Sequence, residues 1–137
     1  MYQSEKISYT DALTLITTVI AEAEKLQKNV STAVSGPEGE LIAFARMDGA
    51  PATSAVIAPN KAYTAARDRQ ETANMGAYMR STNTPPSFWG DEKITGFGGG
   101  VPIMKNGKVI GGIGVSGLSE EEDIALAKAA FGALGDA

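Results

Sequence analysis

Arg46-Met47-Asp48-Gly49-Ala50 and the later Lys61-Ala62-Tyr63 are the stretches whose residue types could do chemistry. Arg46 can clamp a carboxylate through two parallel hydrogen bonds, a geometry lysine does not reproduce. Asp48 beside it works with it or pairs with it at a strand end. Lys61 is able to join Arg46 on an anion, unless it is a solvated helix lysine. Phe97 precedes Gly98, Gly99 and Gly100, whose backbone N–H groups form either an anion-binding nest or a turn and bulge. The candidate ligand-binding set is thus Arg46, Asp48, Lys61, Tyr63, Phe97, Gly98, Gly99 and Gly100, with an acidic small molecule as ligand. Tyr63, Phe97 and Trp89 would give its apolar walls. For proton transfer the candidates are Asp48, Glu71 and Tyr63, and a carboxylate base among them needs a pKa raised by burial.

The rest of the composition removes whole classes of chemistry. No histidine and no cysteine are present. A Ser-His-Asp or Cys-His site, a thiolate metal site and a histidine-ligated haem are therefore impossible within one chain. No metal site is expected. A net charge of −4 opposes phosphate-backbone binding, so nucleic acid is not an expected partner. No apolar run reaches membrane-spanning length, and the N-terminus has no signal-type apolar core; the expected setting is the cytoplasm.

The elements that must position these residues follow from periodicity and turn chemistry. Residues 1–7 read as an arm and 8–137 as a single domain. Ser8 and Asp11 open an amphipathic helix over about 9–28. Strands at 30–35 and 40–47 flank Gly36-Pro37-Glu38-Gly39, a hairpin turn. Thr53 or Ser54 caps a helix over about 55–69, in which Pro59 predicts a kink or an early irregular turn. A shorter helix follows over 71–80. The aperiodic stretch 81–93 carries Pro85-Pro86 and the single tryptophan, and reads as a ligand lid or as a loop pinned by Phe88 and Trp89. Asn106-Gly107 between two apolar runs marks a hairpin with a type I′ turn. Gly111, Gly112 and Gly114 lie among β-branched residues of its second strand. Something approaches that backbone closely, first a helix across the sheet and second a ligand. Ser119-Glu120-Glu121-Glu122 is a capping box for the last helix.

The Arg46-to-Ala50 stretch, Lys61 to Ala65, Gly98 to Ile103, and Ile110 to Gly117 followed by Asp123 resemble, in this order, the haem-degrading HbpS-like family over about residues 7–134. The resemblance implies an α/β (α+β) domain: an antiparallel sheet of about five strands, profilin-like, with helices packed on it in the order α-β-β-α-α-β-β(β)-α. It also implies a homo-oligomer and a haem or corrinoid ligand. Relatives that bind haem through histidine often carry it just after Asp-Gly-Ala; here Pro51-Ala52-Thr53-Ser54 stands instead. Axial ligation would fall to residues such as Met47, Met104 or Tyr63. The leading expectation is a small-molecule-binding domain. The alternative is an enzyme acting on an organic acid or aldehyde intermediate; a third is an assembly partner using its glycine-rich sheet.

Overall fold

Ser8 opens the first element: its hydroxyl accepts the Asp11 N–H at 3.1 Å, and helix α1 runs Tyr9–Lys25. Ala12, Leu15, Ile16, Val19 and Ala23 recur at helical spacing and form its buried stripe. A computed structural model of the chain describes residues 1–134. After α1 come β1 (Ser31–Ser35), β2 (Leu41–Arg46), α2 (Ser54–Asp68), α3 (Thr72–Thr82), β3 (Gly100–Lys105), β4 (Lys108–Ser116) and α4 (Glu120–Ala129). Tight 3-10 turns stand at Pro86–Trp89 and Ala130–Leu134.

The strands form one antiparallel sheet in the order β2-β1-β4-β3. This corrects the expected count: the sheet has four strands among the described residues, not about five. The long connection between α3 and β3 adds none, since Pro85 and Pro86 have no N–H to give a ladder. Its later part is tied to helix α2 instead: Thr64 Oγ1 donates to the Lys93 carbonyl at 3.2 Å and accepts the Thr95 N–H at 3.1 Å. Asn106 and Gly107 take φ of 52° and 76°, as a type I′ turn between β3 and β4 requires.

The two faces of the sheet are built differently. Val34, Val101, Ile103, Ile113 and Val115 pack with the α1 stripe and with Leu126 and Ala127 of α4 in the main core. The arm joins this core, with Ile7 buried and its N–H donating to the Ile110 carbonyl at 2.9 Å. On the other face α2 lies directly on backbone. A Cβ on Gly112 would stand 2.3 Å from the Ala62 carbonyl oxygen, and one on Gly114 2.2 Å from that of Ala58. Ala58, Ala62 and Ala66 complete the seam from the helix side. The glycines of β4 are thus filled by a helix, the first of the two readings their spacing allows. Helix α2 runs unbroken through Pro59, and the irregular part is its opening turn, where Ser54, Ala55 and Val56 N–H groups bond three residues back.

The seam yields a stability prediction. Gly114→Ala forces α2 off the sheet and should cost about 1–3 kcal/mol in urea denaturation, the usual range for overpacking. Gly132→Ala, where a Cβ meets nothing within 4 Å, should stay within about 0.5 kcal/mol of the parent. Equal losses in both variants would refute the close-packed seam.

Candidate functional site

Helix α2 buries Ser54, Ala58, Lys61, Ala62, Ala65 and Ala66 along one face. Lys61 is the charged member of that stripe and is 2% exposed. Because the glycine seam brings α2 so close, the Lys61 stem crosses the end of β4. Its Nζ donates to the Val115 carbonyl at 2.7 Å and to Asp123 Oδ2 at 3.1 Å. Asp123, also 2% exposed, sits on the buried stripe of α4 with Leu126 and Ala127. Its other oxygen accepts the Leu118 N–H at 3.2 Å. The pair ties α2, β4 and α4 together with both side chains only 3% exposed.

Glycine geometry makes room for this pair. Gly99, at φ +122°, lies against it: a Cβ there would fall 2.8 Å from Lys61 Nζ and 3.0 Å from Asp123 Cβ. The Gly98 N–H donates to Glu120 Oε1 at 3.0 Å, and the Gly100 N–H to Thr72 Oγ1 at 2.8 Å. Two donors of the expected anion nest are therefore engaged by the protein's own oxygens. Burial pushes the Lys61 ammonium down and the Asp123 carboxyl up, each shift opposed by the other's charge.

Above the pair opens a cavity of about 290 Å³. Pro51, Ile57, Phe97 and Leu118 give it apolar walls, Thr53, Ser54 and Ser116 give hydroxyls, and Lys61, Asp123 and Glu120 bring charge. Of the residues expected to bind a ligand, Lys61 and Phe97 line it, and Gly98, Gly99 and Gly100 touch residues that do. The others are elsewhere. Arg46 donates through Nε and Nη2 to the Ala50 carbonyl at 3.2 and 2.8 Å, fastening the turn after β2. Asp48 is exposed in that turn. Tyr63 lines a second opening of about 450 Å³ with Arg67 and Lys93, and its phenol donates to Asp91 Oδ2 at 2.6 Å. Glu71 pairs with Lys128 at 3.3 Å. Asp48, Glu71 and Tyr63 are thus not gathered into one proton-transfer site. Trp89 meets Tyr78 edge-on at 6.1 Å, which pins the loop to α3.

Reasoning from the sequence missed Asp123 as the partner of Lys61. The signal was present: each of the two charges interrupts an otherwise small or apolar stripe, Lys61 beside Ala58, Ala62 and Ala65, Asp123 before Leu126, Ala127 and Ala130. Opposite charges on two buried stripes must find each other or stay neutral.

Comparison with known proteins agrees with this architecture. The model of a family described as haem degrading protein HbpS-like matches residues 7–132. Protein GlcG of Escherichia coli K12 is 38% identical over 95 residues, 69% of each chain. Protein ORFY of Klebsiella pneumoniae superposes with a TM-score of 0.92 at 28% identity, covering 100% of this chain and 96% of that one. A structure described as a PduOC:heme complex gives a TM-score of 0.88 at 28% identity, covering 96% and 97%.

Removing one partner of the buried pair leaves the other charged and unmatched. Lys61→Met should therefore lower unfolding free energy by about 3–5 kcal/mol. Adding Asp123→Leu to it should restore most of that loss, because an apolar pair has no charge to desolvate. Additive losses in a denaturation cycle would show that the two residues do not act as a unit.

Proposed function

This chain belongs to the HbpS-like family, and we propose that it is a small-molecule-binding domain whose ligand occupies the cavity over Lys61 and Asp123. One observation carries the reading: a buried ammonium forms part of the lining of a cavity whose walls are otherwise largely apolar. Ligand sites combine apolar walls with a few placed polar groups in this way, and about 290 Å³ suits a compact molecule. A short organic acid or its carbonyl form offers the oxygen that Lys61 can meet. Its charge would face one ammonium and two carboxylates, Asp123 and Glu120, so affinity rests on the apolar walls as much as on the ion contact.

The residues present do not fit a ligated haem, although the PduOC relative is described in complex with one. The chain has no histidine or cysteine. Met47 Sδ accepts the Val30 N–H, Met75 is 1% exposed in the interior, Met104 stands on β3 beside a different opening, and none of the three lines the cavity. The hydrogen bond to Asp91 pushes the Tyr63 phenol up, away from the phenolate that iron requires. Nor does a cavity of about 290 Å³ have room for the macrocycle of a haem or a corrinoid.

Thermal unfolding with butyrate and 2-hydroxybutyrate tests the binding reading. Melting should rise with ligand concentration by mass action. Arg46→Ala should keep the rise, because that guanidinium holds the Ala50 turn, and Glu120→Gln should enlarge it by removing a repelling charge. Haem in the same assay should give neither stabilisation nor a shifted Soret band. No response to either acid at any concentration would overturn the reading.

A homo-oligomer also belongs to the proposal. Leu41 and Phe44 on the edge strand β2 are 57% and 40% exposed, and Val56 at the start of α2 is 63% exposed. Sedimentation should give a mass of at least two chains, and replacing Phe44 by Glu should lower it. A single-chain mass for the parent would refute assembly through this edge.

A further inference from the structure

We propose that Lys61 captures a carbonyl compound, an aldehyde or a 2-oxo acid, as a covalent imine in this cavity, with Asp123 moving the protons. The proposal rests on the binding reading and names the ligand class of that same cavity. Lys61 is the single buried lysine among the described residues. Lys6, Lys25, Lys28, Lys105 and Lys128 have side chains between 41% and 72% exposed, and each is matched with a surface carboxylate. Lys93 and Lys108 are exposed as well. An amine removed from water and set beside a carboxylate has the arrangement that nucleophilic lysines need: weak solvation, and a base within reach of the ammonium proton. Here that distance is 3.1 Å.

The geometry also leaves the amine an approach. Nζ has two protein acceptors among the described residues, the Val115 carbonyl and Asp123. Gly99 packs its bare backbone beside it, where a Cβ would stand 2.8 Å from Nζ, and the approach is from the cavity that Lys61 helps to line. Burial lowers the Lys61 pKa, which favours the neutral amine required for attack. The walls from Pro51, Ile57, Phe97 and Leu118 would hold a short carbon chain over this group.

The step balances without an oxidant or reductant. The Lys61 ammonium gives a proton to the Asp123 carboxylate, and the free amine attacks the carbonyl carbon. A C–N bond forms as the C=O π pair moves to oxygen, and transfer of a proton from nitrogen to that oxygen gives the carbinolamine. The nitrogen lone pair then expels the hydroxyl, which leaves as water with the proton returned from Asp123. Ammonium and carbonyl have become iminium and water, and Asp123 is again a carboxylate. Lys61 is positive both before and after, as ammonium and then as iminium, so Asp123 faces a cation in either resting state.

Reductive trapping tests this. The full chain is incubated with 2-oxobutyrate and cyanoborohydride, and modified lysines are mapped by peptide mass. The reduced adduct should accumulate on Lys61 about tenfold faster than on any exposed lysine. Lys61→Arg, which retains the positive charge and can still face Asp123, should lose this adduct while its circular dichroism stays native. Label spread over exposed lysines with Lys61 unmodified would overturn the proposal. If 2-hydroxybutyrate stabilises the parent and 2-oxobutyrate leaves Lys61 unmodified, imine formation falls and the binding reading stands. If 2-hydroxybutyrate and butyrate give no stabilisation and no Lys61 adduct forms, both fall.

Discussion

The closeness of α2 to β4 is the constraint on which the remainder of the molecule depends. Glycines at 112 and 114 remove the side chains that would separate a helix from a sheet, and Ala58, Ala62 and Ala66 complete the contact. Only at that separation does the lysine stem reach over the end of the strand to the Val115 carbonyl and on to α4. A helix held further away by ordinary valines or leucines would leave Lys61 short of Asp123. The cavity above the pair would then lose its charged floor. Backbone packing on one face thus sets the electrostatics at the sheet's end.

That electrostatic arrangement carries a cost and a constraint together. Two ions taken out of water lose their hydration, and the recovered attraction depends on distance and on further hydrogen bonds. Both are supplied here, through Val115 for the lysine and Leu118 for the aspartate. Apolar residues of similar volume would fill the same space at no charge penalty. Their absence gives the pair a significance beyond stability, and it leaves an amine with a proton acceptor facing a hollow.

Much of the fold was legible before the coordinates. The Ser8 cap, the Asn106-Gly107 turn and the Ser119 capping box are local devices whose residues state their geometry, and each is found in place. The strand count was not legible in the same way, because the long connection before β3 is decided by tertiary ties such as Thr64 to Thr95. The site was half legible. Lys61 and Phe97 share the cavity, but the Arg46 guanidinium, a carboxylate clamp by its chemistry, closes a turn four residues downstream. A guanidinium looks the same in sequence whether it faces a guest or its own backbone. By residue type Lys61 is either an anion partner for Arg46 or a solvated helix lysine, and its position on the Ala58–Ala62–Ala65 stripe marks it as buried.

The alanine seam of α2 has a translational ambiguity. Small residues repeat every four positions from Ala58 to Ala62 to Ala66, so a shift of the helix by one turn would still set alanine against glycine. Dispersion forces alone discriminate poorly between such settings. The slide that sets Ala62 and Ala66 against the two glycines would bring Ala65 to the spot under Gly99 and strand Asp123 without a counter-ion. The lysine thus works as an index pin, selecting one rung of an otherwise repetitive ladder.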